Sequence, residues 1–160
     1  MTDLDRIPVQ IGEVKIGREG QLLNAILGSC IGLGFLCPER GVYGLAHCLL
    51  PKSKGPRTKG DGRHVDHAIE SLLTKMDVTD QERRKLKVFI AGGANMTMPV
   101  GTAPKRLVGT VNADFTRKAL KEAGLRLQKD DTGGHRGRRV VIDCTTGDYT
   151  INTIRRLGDT

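Results

Sequence analysis

The 160-residue chain is 38% hydrophobic, contains 21 glycines and carries a formal net charge of +8, which suits one compact domain over residues 1–160 that needs no disulfide or metal staple. No stretch of about eighteen apolar residues occurs, and residues 1–6 carry Asp3 and Asp5 in place of an apolar leader; these features exclude membrane insertion by a helix and predict a cytoplasmic protein with thiols. The positive charge fits an acidic partner, whereas five aromatics, none interleaved with basic residues, argue against nucleic-acid binding.

Residues 7–16 are aliphatic and β-branched around Gly12 and read as a strand or a bent pair of short strands, with a second strand over residues 21–27. Residues 31–37 and 42–50 flank Pro38-Glu39-Arg40-Gly41, a turn signal, and form a hairpin. Residues 51–62 lack apolar periodicity and carry Lys52, Lys54, Arg57 and Lys59, so they are expected to form a basic surface loop. Val65, Ile69, Leu72, Leu73 and Met76 recur at helical spacing, and residues 80–86 add a short charged turn. A strand over 87–91 runs into Gly92-Gly93-Ala94-Asn95-Met96. Asn112 then caps a helix that Gly124 stops, with Phe115, Ala119, Leu120 and Ala123 on its buried face. Residues 125–129, 139–145 and 149–154 read as strands, the last two joined at Thr146-Gly147-Asp148. The fold class is α/β or α+β: two main helices on layered, largely antiparallel sheets.

If residues 38–41 form the hairpin loop, Cys37 pairs with Val42 and Gly32 lies opposite His47. Alternation then puts Cys30, Gly32, Gly34 and Leu36 on one face with Tyr43, Leu45 and His47, so that Cys30 and His47 are diagonal neighbours. Such positions lie roughly 7–8 Å apart at the backbone, within reach of a thiol and an imidazole leaning together. Gly32 and Gly34 are expected to leave this face shallow enough for an incoming chain. Leu27-Gly28-Ser29-Cys30 sets the thiol after a turn whose amides, at Gly28 and Ser29, could hold an oxyanion. Geometry alone leaves two readings open: an activated thiol, or a buried cysteine beside a hydrogen-bonded core histidine.

The opposite face, with Ile31, Leu33, Phe35, Cys37, Val42, Ala46 and Cys48, is core, and Cys37 and Cys48 read as small buried hydrophobes. No C-x₂-C or C-x₄-C pair joins the four cysteines. His64 and His67 offer at most half a metal site, and His135 reads as a solvated loop residue.

Leu27-Gly28-Ser29-Cys30 and, from Gly44, Gly-Leu-Ala-His-Cys-Leu-Leu-Pro together resemble the CheD family of chemoreceptor glutamine deamidases. The likeness continues through Ala91-Gly92-Gly93-Ala94-Asn95-Met96, Val108-Gly109 to Asn112, and Asp131-Thr132-Gly133-Gly134-His135-Arg136-Gly137-Arg138, spanning about residues 7–150. It implies a layered α/β domain and a protein-glutamine glutaminase that hydrolyses receptor glutamines to glutamates, with Cys30 as nucleophile, His47 as base and no metal or organic cofactor. It also implies partners: methyl-accepting chemotaxis receptors as substrates, and the CheC phosphatase. Asn24 stands where the family usually has a threonine that would orient the histidine, Val111 where an arginine is common, and Thr97 where a phenylalanine is common. The alternative function is a CheD-like binding protein with a weakened centre that regulates CheC or receptors.

Overall fold

A computed structural model describes residues 4–49, 51, 62–95 and 108–155. In chain order the elements are β1 (Asp5–Pro8), β2 (Val14–Gly17), β3 (Gln21–Leu27), β4 (Ile31–Cys37), β5 (Val42–Cys48), α1 (Val65–Lys75), α2 (Asp80–Arg83), β6 (Lys87–Gly92), α3 (Val108–Glu122), β7 (Leu127–Thr132), β8 (Arg138–Asp143) and β9 (Tyr149–Thr153). One sheet has the order β1-β3-β8-β9 and the other β2-β5-β4-β6-β7. Among the described residues only β1–β3 and β6–β7 pair in parallel, so the expectation of layered, largely antiparallel sheets with two main helices holds. No helix among the described residues is long and apolar enough to cross a membrane.

The layers follow from alternation. In β3, Leu23, Ala25 and Leu27 are buried while Ile26 is 61% exposed; β8 likewise buries Arg138, Val140 and Ile142 between more open neighbours. The four-stranded sheet thus has one wet face, as antiparallel sheets commonly do. β4 and β5 are buried at every position. One face of these strands, with Ile31, Leu33, Phe35, Cys37, Val42, Ala46 and Cys48, packs with Val65, Ile69, Leu72 and Leu120 of the helices. The other, with Leu36, Tyr43 and Leu45, packs with Leu23, Leu27, Val140 and Ile142 of the second sheet. Arg40 at the hairpin tip anchors the turn to the helical layer through Glu82 at 2.7 Å and the Met76 carbonyl at 2.7 Å.

Residues 7–16 take the second of the two expected forms, a pair of short strands, and these lie in different sheets with Gly12 at φ +86° in the turn between them. Other boundaries differ from those expected. Residues 125–126 are not strand but follow the termination of α3: Gly124 is left-handed, and Leu125 donates its N–H to Leu120 O, the six-to-one bond of a Schellman termination. Accordingly β7 starts at Leu127. Asn112 is no cap, because α3 already includes Val108. Residues 52–61, the basic loop, and Met96 and Thr97 lie outside the described residues.

Candidate active site

The hairpin register is the expected one: Cys37 pairs with Val42, Gly32 with His47 and Ile31 with Cys48. Cys30, one residue before β4, belongs to the inter-sheet cluster, and Ile31 to the helical one. Cys30 and His47 therefore lie diagonally on the face that meets the second sheet. That face is not open, as had been expected from its glycines. A Cβ on Gly32 would stand 2.5 Å from Leu27 Cδ1, and one on Gly34 2.1 Å from the Phe89 ring. Phe89 lies opposite Gly34 in the β4–β6 ladder and stacks on Tyr149 at 4.4 Å. The glycines make room for side chains of the protein itself, not for a substrate chain.

The turn before Cys30 is held by its carbonyls. Ala94 N–H donates to Gly28 O at 3.0 Å, Gly93 N–H to Cys30 O at 2.9 Å, and Asn112 Nδ2 to Ser29 O at 3.3 Å. The same Asn112 amide also donates to Leu49 O at 3.2 Å, so one side chain ties the start of β4 to the end of β5. The N–H groups of Gly28 and Ser29 have no hydrogen-bond partner among the described residues. Both residues are part-exposed, whereas Cys30 is 6% exposed.

His47 is 5% exposed, and its Nδ1 lies 3.0 Å from the Val9 carbonyl. A carbonyl can only accept, so Nδ1 carries the hydrogen and, in the neutral ring, Nε2 carries the lone pair. The strand is fixed at the same point: His47 N–H donates to Glu13 O, and His47 O accepts from Gly12 N–H. Val9 N–H in turn donates to Asn24 O at 2.7 Å. Asn24 thus connects to His47 through its own main-chain carbonyl and the backbone of Val9, whose N–H and C=O belong to successive peptide units. Its side chain, alternating with buried Leu23 and Ala25, falls on the outer face of β3, away from Cys30.

Burial pushes the Cys30 thiol above its ordinary range, opposed by its own backbone N–H. Burial likewise holds His47 below its ordinary value, opposed by the Val9 carbonyl and the Glu13 charge. At neutral pH the resting pair is a neutral thiol and a neutral imidazole, with no hydrogen bond between them. Cys144, elsewhere in the inter-sheet core, is pushed up to about 11 by burial, and Cys37 and Cys48 line the helical core as expected.

His135 is not simply solvated. Its Nδ1 bonds the Asn95 carbonyl at 3.0 Å while Asn95 N–H donates to Gly134 O, joining the loops after β6 and β7. No group of three or more candidate metal ligands occurs among the described residues. Two contacts had no place in the sequence reading. The Val9 carbonyl has no side-chain signature. Asn112 did have one: it shares the helical spacing of Thr116, Ala119, Leu120 and Ala123, and a polar residue on an apolar stripe needs a partner.

The profile of the CheD chemotactic sensory transduction family matches residues 49–153. A protein of Ruegeria sp. (strain TM1040), named probable chemoreceptor glutamine deamidase CheD 2, is 53% identical over 99% of this chain and 97% of its own length. Proteins named probable chemoreceptor glutamine deamidase CheD from Methanococcus vannielii and Archaeoglobus fulgidus are each 34% identical, covering 91% and 93% of this chain and 93% and 94% of their own lengths. With more than half of its residues inside the family profile and relatives matched over nine-tenths or more of both lengths, the chain belongs to the CheD family.

Proposed function

We propose that the protein is a cytoplasmic chemoreceptor glutamine deamidase in which Cys30 is the nucleophile and His47 the general base. The observation that carries this reading is the bond from His47 Nδ1 to the Val9 carbonyl, which puts the lone pair of the neutral ring on Nε2, while the hairpin register puts His47 on the face that Cys30 shares. His47 takes the thiol proton as sulfur attacks the glutamine side-chain carbonyl. Because the thiol is raised and the imidazole depressed, proton transfer accompanies attack and does not precede it. The oxyanion is held by N–H groups of the turn at Gly28, Ser29 and Cys30. Ammonia leaves with the proton from His47, and water, deprotonated by the same ring, cleaves the thioester to glutamate and regenerates the thiol. The sum is amide plus water to carboxylate plus ammonium.

The competing reading, a binding protein with a weakened centre, rests on Asn24. The contact running from this position towards His47 is made by a main-chain carbonyl, so replacing the family's threonine side chain leaves it in place. Partners are then the receptors and, by family resemblance, CheC. The direct test is mass spectrometry of a co-expressed receptor methylation-region fragment. Each converted glutamine adds about 1 Da, the product expected of a thiol amidase; a fragment of unchanged mass after prolonged exposure would count against the deamidase reading.

The pH dependence follows from the shift at His47. A base works unprotonated, and its pKa is lowered from the ordinary 6.5 by burial. The acid limb of kcat/KM is therefore expected to have its midpoint below 6.5, with activity retained at mildly acidic pH. A limb centred above 7 in the free enzyme would mean that the titrating base is another group.

A further inference from the structure

We propose that Asn112 is a positioning residue for the oxyanion-binding peptide of this enzyme, acting through the Ser29 carbonyl. The inference rests on the Cys30–His47 amidase reading and extends it to a residue 83 positions from Ser29. In a trans peptide the carbonyl oxygen and the amide hydrogen point in opposite directions within one plane. The Ser29 carbonyl and the Cys30 N–H belong to one such unit, so whatever holds Ser29 O aims Cys30 N–H. That N–H belongs to the residue whose sulfur attacks, so its direction bears on the oxyanion formed there. Ala94 acts in the same way one residue earlier: its bond to Gly28 O sets the direction of Ser29 N–H.

The side chain is built for the task. Asn112 is 2% exposed, and its amide nitrogen has two hydrogens for two carbonyls, Ser29 O at 3.3 Å and Leu49 O at 3.2 Å. The second bond fixes the first to β5, the strand that carries His47. The start of α3 is closely packed there: a Cβ on Gly109 would stand 2.3 Å from Gly93 O, so the helix start lies against the loop after β6. Donors that must match a developing charge lose much of their effect with small misplacement.

The test compares Asn112→Ala, Asn112→Leu and Asn112→Asp in the full chain, with two readouts: steady-state deamidation of a receptor fragment, and alkylation of Cys30 by iodoacetamide. Alkylation uses the same thiol but forms no oxyanion. We expect kcat to fall about ten- to a hundredfold in the Ala and Leu variants, in line with weakening of one oxyanion donor, with KM and the alkylation rate within about twofold of wild type. Asp, an acceptor facing two acceptors, is expected to do no better than Ala. Leu120→Val, which trims the same helix without touching Ser29 or Leu49, is expected to lower the melting temperature and leave kcat unchanged. If the larger changes prevent folding, Asn112→Ser, too short to bridge both carbonyls, gives the same comparison. An unchanged kcat in Asn112→Ala, or equal losses of deamidation and alkylation, overturns the proposal. Deamidation that survives Cys30→Ala sinks instead the amidase reading beneath it.

Discussion

Cys30→Ala is expected to lower receptor deamidation by on the order of 10⁴-fold or more, since removing the nucleophile of a coupled centre removes nearly all that the centre does. The fold is expected to survive. Cys30 sits in the inter-sheet cluster, and losing its sulfur costs about 1 kcal/mol, comparable to one buried methylene. Circular dichroism and urea unfolding check that half of the expectation, and the mass of the receptor fragment checks the other. Cys30→Ser should be nearly as inactive, because an alcohol gives up its proton to a neutral imidazole far less readily than a thiol does. If the alanine protein converts receptor glutamines at the wild-type rate while folded, the nucleophile lies elsewhere.

Gly92→Ala is expected to have the largest effect on stability, about 2–6 kcal/mol, from two costs at one atom. Its φ is +98°, where a side chain is strained by roughly 1–3 kcal/mol. The added Cβ would also stand 2.2 Å from the Cys30 carbonyl oxygen, a backbone atom with no rotamer to escape into, and overpacking of this kind costs about 1–3 kcal/mol more. Gly20→Ala separates the two: φ there is +87°, but nothing lies within 4 Å of the new atom. Urea unfolding of both variants isolates the clash as the difference. Since Gly93 N–H holds the same Cys30 carbonyl, the Gly92 variant should also lose deamidation out of proportion to its unfolded fraction. Equal stability losses in the two variants would mean that the β6–β4 junction yields easily, and that Cys30 is not rigidly placed by it.

The parts of the site that were legible before the structure are those set by neighbours in the chain. The proline-to-glycine turn at residues 38–41 determines the hairpin register, and the register with the two-residue alternation puts Cys30 and His47 on one face. The same alternation separates Cys37 and Cys48 onto the helical side. It could not say what covers each face. Gly32 and Gly34 fit equally a groove for a substrate and a seat for Leu27 and Phe89, because an absent side chain records only that space is needed, not what fills it.

Sequence by itself determined the strand–turn–strand unit, the apolar stripes of α1 and α3, the left-handed stop at Gly124 and the family motifs around Cys30 and His47, all of which rest on interactions within a few residues. Only the tertiary structure decided how the histidine is oriented and how the turn is braced. The Val9 carbonyl meets His47 across 38 positions, and Asn112 meets Ser29 and Leu49 across 83 and 63. The physical reason is the nature of the partners. Every amino acid carries the same main-chain carbonyl, so a bond to one leaves no mark in the composition of the chain. Which carbonyl lies within reach is settled only when the parallel β1–β3 pair and the β4–β5 hairpin close around the inter-sheet core.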